Sequence, residues 1–170
     1  GALSVGATAA KALAFARKLP LVGVHHLEGH LLSSLAADPD LPFPHLALVV
    51  SGGHTELVWV KAPGQAAILA ETLDDAAGEA FDKGARLLGL GYPGGAAIQE
   101  AAKGGNPKRY RLPQAIPNDP HHFSFSGLKT AVLRLVETEA QINVADAAAS
   151  LQAAIVGALV TKTMDAVVRE

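Results

Sequence analysis

The sequence predicts an α/β protein in which strands and helices alternate first and helices alone follow. Short apolar, β-prone runs are separated by helical patterns in the first half, whereas the second half is almost entirely helical in pattern. Hydrophobic residues make up 49% of the 170 residues and charged residues 18%, which is typical of a globular chain that buries a core. The predicted fold class is therefore α/β with a helical insertion.

Three elements are predicted at the start of the chain. A helix rich in small residues covers about residues 3–18 and ends before a proline. The run Leu21–Val24 is short, apolar and β-prone, which predicts a buried strand. A second helix covers about Leu27–Ala37.

A linker and a hairpin follow. The segment Asp38–His45 contains three prolines and is interpreted as a connection between two lobes. The continuous apolar run Leu46–Val50 is typical of a strand covered on both faces, and the alternation in Thr55–Val60 predicts a second strand. The two strands are predicted to pair around the turn Ser51–Gly53.

Helices dominate the second half. One is predicted over Thr72–Leu88 and another over Ala96–Lys103. A short extended piece at Phe123–Phe125 precedes a helix over Ser126–Glu139 that Ser126 is expected to cap. Asn143 has an aspartate three residues later, which predicts the start of a long final helix.

Composition excludes several classes of protein. The net charge of −2 provides no global attraction to nucleic acid, so such binding would need a local patch. Without cysteine there are no disulfides or thiolate metal sites, and a metal would rely on histidine and carboxylates. Uninterrupted apolar runs such as Ala153–Val160 are shorter than a membrane span requires. The opening without Met and the helical pattern at the last residues predict an internal piece of a longer protein, so a missing signal peptide is uninformative.

The first candidate site is a histidine pair. His26 and His30 are four residues apart and would lie about 40° apart on one helix face, a spacing that suits two nitrogens on one metal. A solvated histidine pair is the alternative, and for an isolated pair it is the more common one. Glu28 would point about 200° away from His26 around the helix, which argues against a zinc protease with a glutamate base.

The second candidate site is the glycine turn. In Ser51-Gly52-Gly53 the glycines would let the backbone approach a phosphate and donate N–H groups to it. A plain hairpin turn is an equally good interpretation of these residues alone.

Two weaker candidates are polar. Asp82 and Lys83 lie beside the predicted core face of their helix and could hold ribose hydroxyls, although an ordinary solvated pair is favoured without further context. The loop Lys103–Arg111 carries four cations and one tyrosine, which could contact RNA phosphates. A solvated charged loop is the commoner outcome for such a run.

Five motifs together resemble the tRNA threonylcarbamoyladenosine transferase family, whose members were once described as O-sialoglycoprotein endopeptidases. They occur in the family's order over nearly the whole chain, so chance agreement is very improbable, and the resemblance overrides the alternatives that each motif leaves open alone. The motifs are His25–His30, Val50–Thr55, Asp74–Lys83, Gly91–Gly95 and Phe123–Thr130.

The resemblance implies an actin-like (ASKHA) two-lobed fold. Residues 1–40 would be the end of the first lobe with the metal-binding helix. Residues 45–170 would be the first part of the second lobe, with the phosphate hairpin and the helical insertion. The implied reaction moves a threonylcarbamoyl group from threonylcarbamoyl-AMP to the exocyclic amine of the adenosine adjacent to the anticodon, in tRNAs that read codons beginning with A.

The resemblance also implies roles for individual residues. His26 and His30 would hold one Fe²⁺ or Zn²⁺ per subunit, and the third protein ligand would lie outside these residues. Asp82 and Gly95 would contact the nucleoside portion. No residue is a certain catalytic group, since the RNA amine itself attacks. The adenylate phosphate would be held by Val49, Val50, Ser51, Gly52 and Gly53.

The resemblance further implies tRNA and threonylcarbamoyl-AMP as substrates and three protein partners: a smaller actin-like paralogue, a small ATPase and a threonylcarbamoyl-AMP synthase. The expected location is cytoplasmic, without a membrane. A metalloprotease is the alternative enzyme, and a non-catalytic actin-like scaffold paralogue is the alternative of another class. A scaffold would be expected to lose the metal histidines, and both are present.

Overall fold

The chain divides into two compact units. The computed structural model describes residues 1–114, 116 and 118–170. Residues Gly1–Leu41 form the first unit and Pro42–Glu170 the second. The described residues form six α-helices and four β-strands, in agreement with the predicted mixed α/β class.

The first unit contains the two predicted helices, α1 (Ala2–Arg17) and α2 (His26–Ala37). Helix α1 ends where Lys18 adopts a left-handed conformation with φ 51°, and its N–H donates to the carbonyls of Ala14 and Phe15.

The predicted strand at Leu21–Val24 is wrong. These residues form no strand, and Val22 and Val24 are 80% and 75% exposed. A strand needs a neighbour to pair its backbone groups, and the described residues of the first unit contain no other strand. An apolar, β-prone run therefore does not become a strand in this unit.

The second unit is built on a four-stranded sheet in the order β1-β2-β3-β4. The predicted hairpin is confirmed: β1 (His45–Val50) pairs antiparallel with β2 (Thr55–Ala62), and Val50 faces Thr55 across the turn. The expectation that β1 is covered on both faces is wrong, since Leu48 and Val50 are exposed. The apolar character of a strand does not show which of its two faces another element will cover.

Strand β3 (Gln65–Thr72) was not predicted, because alanine and glutamate have low β propensity. It pairs antiparallel with β2, and β4 (His122–Phe123) joins it in parallel. Thr72 therefore ends a strand, and the prediction that it begins a helix is wrong. Its hydroxyl donates to the carbonyl of Asp75 at 2.8 Å within the turn that follows.

Four helices complete the second unit: α3 (Ala77–Leu87), α4 (Gly94–Ala101), α5 (Ser126–Thr138) and α6 (Val144–Arg169). Ser126 does not cap α5 as predicted. Phe125 occupies the cap position, and the Ser126 hydroxyl donates to Asp74 instead.

The predicted start of α6 is confirmed, because the Asn143 side chain accepts a hydrogen bond from the Asp146 N–H at 3.1 Å. Leu151, Ile155 and Leu159 form a buried stripe along α6 in the hydrophobic core. By length and composition α6 could also cross a membrane, although 44% of its most apolar window is buried in the protein. No uninterrupted apolar run is as long as α6, so the sequence did not predict a helix that could cross a membrane. The core helix of a soluble protein can have the same length and composition.

Candidate active site

The glycine turn between β1 and β2 is held closed by Ser51. The Ser51 N–H donates to the carbonyl of His54 at 2.8 Å. The Ser51 hydroxyl oxygen accepts from the N–H of Gly53 at 3.3 Å and of His54 at 3.0 Å. No described atom lies within 4 Å of the position a Cβ would take on Gly52 or Gly53. The turn therefore has a fixed backbone and an open side.

The start of helix α3 lies directly against this turn. The Gly78 N–H donates to the Ser51 carbonyl at 3.2 Å, and a Cβ on Gly78 would lie 2.5 Å from that oxygen. Only glycine fits here without moving the backbone of the turn. The preceding Ala77 N–H donates to the hydroxyl of the fully buried Thr55 at 2.8 Å. The positive end of the α3 dipole therefore faces the turn, which favours an anion there.

Asp82 lies one helical turn beyond Gly78, on the same face of α3. Its Oδ1 accepts a hydrogen bond from the Gly94 N–H at 2.8 Å, and a Cβ on Gly94 would lie 2.4 Å from the Asp82 Cα. Gly95 follows immediately, with no described atom within 4 Å of its Cβ position. Gly78, which contacts the turn, and Asp82, which contacts Gly94, thus lie on one face of α3, about 6 Å apart along its axis.

Val49 and Val50 lead into the turn at the end of β1, paired with Glu56 and Thr55 of β2. The Val50 side chain is 44% exposed, while its backbone belongs to the ladder. The hairpin pairing thus holds the backbone that enters the turn.

Lys83 differs from Asp82 in its surroundings. Its ammonium lies 2.6 Å from Asp75 Oδ1 and 2.9 Å from Glu79 Oε1. Hydrogen bonds to these two carboxylates raise the pKa of Lys83, and the bond from Lys83 lowers the pKa of Glu79. Lys83 therefore braces the first turns of α3, whereas Asp82 contacts the start of α4.

A second group of stabilising contacts, around Asp74, was not predicted from the sequence. Asp74 accepts hydrogen bonds from the Ser124 hydroxyl at 2.6 Å, the Ser126 hydroxyl at 2.7 Å and the Phe125 N–H at 2.8 Å. Burial acts to raise the pKa of Asp74, but these hydrogen bonds together with one from the Ser126 N–H hold it below its ordinary value of 3.8. The segment before α3 is thereby fastened to the start of α5, about fifty residues away.

The histidine pair lies in the first unit, near the start of α2. The ring centroids of His26 and His30 are 6.0 Å apart and the rings meet edge to face at 76°. His25 is the N-cap of α2, and its ring centroid lies 5.5 Å from that of His26. Paired imidazoles are a donor set that suits iron or zinc. Among the described residues no group of three His, Asp or Glu side chains is placed to hold a metal. The metal site stays a prediction.

The fold and these features define an α/β protein with a glycine turn packed against a helix N-terminus and a separate helical histidine pair. The family model of tRNA N6-adenosine threonylcarbamoyltransferase matches residues 1–170, and the chain belongs to this family.

Individual relatives agree with this assignment. The tRNA N6-adenosine threonylcarbamoyltransferase of Thiobacillus denitrificans is 57% identical over 98% of this chain and 49% of its own length. The proteins of the same name from Cyanothece and Symbiobacterium thermophilum are 53% and 50% identical, over 96% and 98% of this chain and half of their own length. The chain thus spans about half the length of the curated relatives it matches.

Proposed function

We propose that this chain is part of an enzyme that transfers a threonylcarbamoyl group from threonylcarbamoyl-AMP to the exocyclic amine of the adenosine adjacent to the anticodon, in tRNAs that read codons beginning with A. The observation that carries the proposal is the family match over all 170 residues, in which every motif of the candidate site is included. The name shared by the relatives describes the same transfer to N6 of adenosine in tRNA.

In this proposal the backbone from Val49 to Gly53 binds the adenylate phosphate. The open side of the turn and the nearby positive end of α3 support that role, because both favour a negatively charged oxygen. Binding there stabilises the negative charge on AMP as it leaves. Electrostatic stabilisation of developing charge is commonly a large contribution to the rate of acyl transfer.

Asp82 and Gly95 bind the nucleoside portion in the same proposal. A carboxylate accepts hydrogen bonds from ribose hydroxyls, and a glycine without a close neighbour leaves room for a ring beside the helix start. Asp82 is one helical turn from Gly78, which contacts the phosphate turn, and this placement supports one nucleotide spanning both.

We propose that His26 and His30 hold one Fe²⁺ or Zn²⁺ with a third protein ligand outside residues 1–170. Such an ion would supply Lewis-acid polarisation of the carbamoyl carbonyl. The two imidazoles lie four residues apart on one helix with their ring centroids 6.0 Å apart, which supports their sharing one ion. No nucleophilic side chain is required, because the amine of the adenosine attacks and the residues orient the reactants.

The finer assignments rest on the same family membership. We propose the actin-like (ASKHA) fold, with residues 1–40 at the end of its first lobe and residues 45–170 in its second. We also propose a cytoplasmic protein that works with a smaller actin-like paralogue, a small ATPase and a threonylcarbamoyl-AMP synthase.

The test is direct detection of the product. The full-length protein, with its expected partners, is incubated with unmodified tRNA, threonine, bicarbonate and ATP, and the digested nucleosides are analysed by mass spectrometry. We expect threonylcarbamoyladenosine from the wild type and none from the variant His26→Ala/His30→Ala.

Other outcomes identify the alternatives. Absence of product from a folded, metal-loaded wild type would contradict the proposal and favour the scaffold. Zinc-dependent proteolysis that Glu28→Gln abolishes would favour the metalloprotease.

A further inference from the structure

We propose that the basic loop, residues 103–111, is a preformed docking surface for the phosphate backbone of the substrate RNA. This inference rests on the proposed function, which supplies an RNA substrate without saying which residues hold it. The loop lies within the second unit and is distinct from the glycine turn and the histidine pair.

All charged side chains of the basic loop are positive. It holds four cations and no carboxylate in nine residues, although the chain as a whole has a net charge of −2. Lys103 is neutralised by Glu100 at 2.6 Å. Lys108, Arg109 and Arg111 are exposed, and no described carboxylate forms an ion pair with them. Three cations are therefore available to an anionic partner.

The backbone of the loop is held rigidly against the start of helix α6. The Asn106 N–H donates to the Asp146 carboxylate at 2.7 Å. A Cβ on Gly105 would lie 2.2 Å from the Ala145 carbonyl oxygen, so only glycine allows this approach. The backbone of the loop therefore has a defined position on α6 before any ligand binds.

The far end of the loop is fastened as well. The Tyr110 hydroxyl accepts a hydrogen bond from the Asn143 N–H at 3.1 Å, and the Tyr110 N–H donates to the Ser150 hydroxyl at 3.3 Å. The Arg109 guanidinium carbon lies 5.7 Å from the centre of the Tyr110 ring, which limits where this cation can go. Anchoring of this kind lowers the entropy lost when the cations bind.

The loop borders an open groove that matches a chain of phosphates. The groove has a volume of about 630 Å³, with Lys108 and Arg111 on one side and residues of α6, among them Ser150, on the other. Guanidinium groups bind phosphate oxygens through paired N–H donors, and Lys adds a point charge. Exposed cations along a groove favour a polyanionic backbone over an apolar protein surface.

The test measures tRNA affinity of the full-length protein as a function of salt. Fluorescence anisotropy with unmodified tRNA between about 50 and 200 mM KCl yields Kd for the wild type and for Lys108→Ala/Arg109→Ala/Arg111→Ala. We expect Kd at the lowest salt to rise at least about tenfold in the variant. The slope of log Kd against log salt should fall by about 2 to 3, since each phosphate contact contributes about 0.7 to 0.9.

A matched control removes the same charges elsewhere. Arg86→Ala/Lys129→Ala/Arg134→Ala also deletes one lysine and two arginines that are exposed in the second unit. We expect its Kd and salt slope to stay close to those of the wild type. If the loop variant and the control have equal Kd values and equal slopes, the inference is overturned.

Product analysis separates this inference from the proposed function. With saturating tRNA the loop variant should reach the wild-type kcat with a raised KM for tRNA. A wild type that forms threonylcarbamoyladenosine, together with a loop variant of unchanged KM, would overturn the inference alone. A wild type that forms no product would overturn the proposed function, whatever the binding result.

Discussion

At the scale of single residues, the candidate site depends on close approach between backbones. Gly78 lets helix α3 begin in contact with the turn at Ser51, and Gly94 lets α4 begin in contact with Asp82. In both places a methyl group would have to displace a neighbouring backbone atom or the helix itself. These two glycines position the residues proposed to bind the nucleotide.

Replacement of Gly78 tests this positioning. In Gly78→Ala the new Cβ would meet the Ser51 carbonyl, so we expect a loss of about 1–3 kcal/mol in the free energy of unfolding and a larger relative loss of transferase activity. Urea unfolding and product formation measure the two effects. Gly127→Ala, in open space on α5, is the control and should be neutral or slightly stabilising. Equal behaviour of the two variants would contradict the proposed positioning.

Asp74 makes the acid stability of the fold predictable. Its pKa lies below 3.8 in the folded protein, so the unfolded chain binds its proton more readily. The stabilisation is fully present above about pH 3.8 and is lost as the pH falls through the lowered folded-state pKa. Asp74→Asn should therefore be less stable than the wild type at pH 6, by up to about 1 kcal/mol because solvent screens this exposed carboxylate, and the difference should shrink on acidification.

The comparison of wild type and Asp74→Asn isolates this carboxylate. Glu79 and Asp119 also have lowered pKa values, but both are present in the two proteins and their effects cancel. Urea unfolding between about pH 2 and 6, which extends below the ordinary pKa of 3.8, provides the measurement. A difference in stability that does not change with pH would show that the negative charge of Asp74 is unimportant.

At the scale of elements, the start of α6 organises the helical half of the second unit. The first turn of α6 is capped by Asn143, and the Asp146 carboxylate reaches back to the basic loop. One helix N-terminus therefore joins the core stripe of α6 to the surface proposed to bind RNA. Damage to the cap should affect both stability and RNA binding.

The cap is tested by Asn143→Ala. Loss of the side-chain acceptor should lower the free energy of unfolding by about 0.5–2 kcal/mol. Asn143→Asp keeps an acceptor beside the positive end of the helix and should retain most of the stability. Thermal or urea unfolding of the wild type and the two variants measures these differences. An alanine variant as stable as the wild type would show that the observed hydrogen bond contributes nothing to the free energy of unfolding.

At the scale of the whole molecule, the proposed metal site would take two of its ligands, His26 and His30, from residues 1–170. Catalytic metal ions commonly have three protein ligands, and two proposed ligands lie within residues 1–170. The relatives are about twice as long, and we propose that the remaining ligand lies outside residues 1–170.

This incompleteness predicts a difference in metal affinity. Residues 1–170 expressed alone should bind Zn²⁺ or Fe²⁺ much more weakly than the full-length protein and should show no transferase activity. Calorimetric titration of both, with circular dichroism to establish folding, measures the difference. Detectable turnover by residues 1–170 alone would contradict the prediction.

Features that depend on residues close together in the chain could be predicted from the amino-acid sequence. The α/β class, the hairpin around Ser51–Gly53, the helix that carries His26 and His30, and the Asn143 cap all follow from local spacing and turn chemistry. The order of the five motifs also identified the family, which the family match confirms.

Features that join distant residues became visible in the folded chain alone. Leu21–Val24 has no strand partner, Thr72 pairs into β3, and Ser126 turns to Asp74, although local preference predicted otherwise. The contact between Gly78 and Ser51 and the packing of the basic loop on α6 likewise join segments about twenty-five and forty residues apart. Hydrogen-bond partners and steric limits of this kind exist only once the chain has folded, because no local pattern specifies which distant backbone will be adjacent.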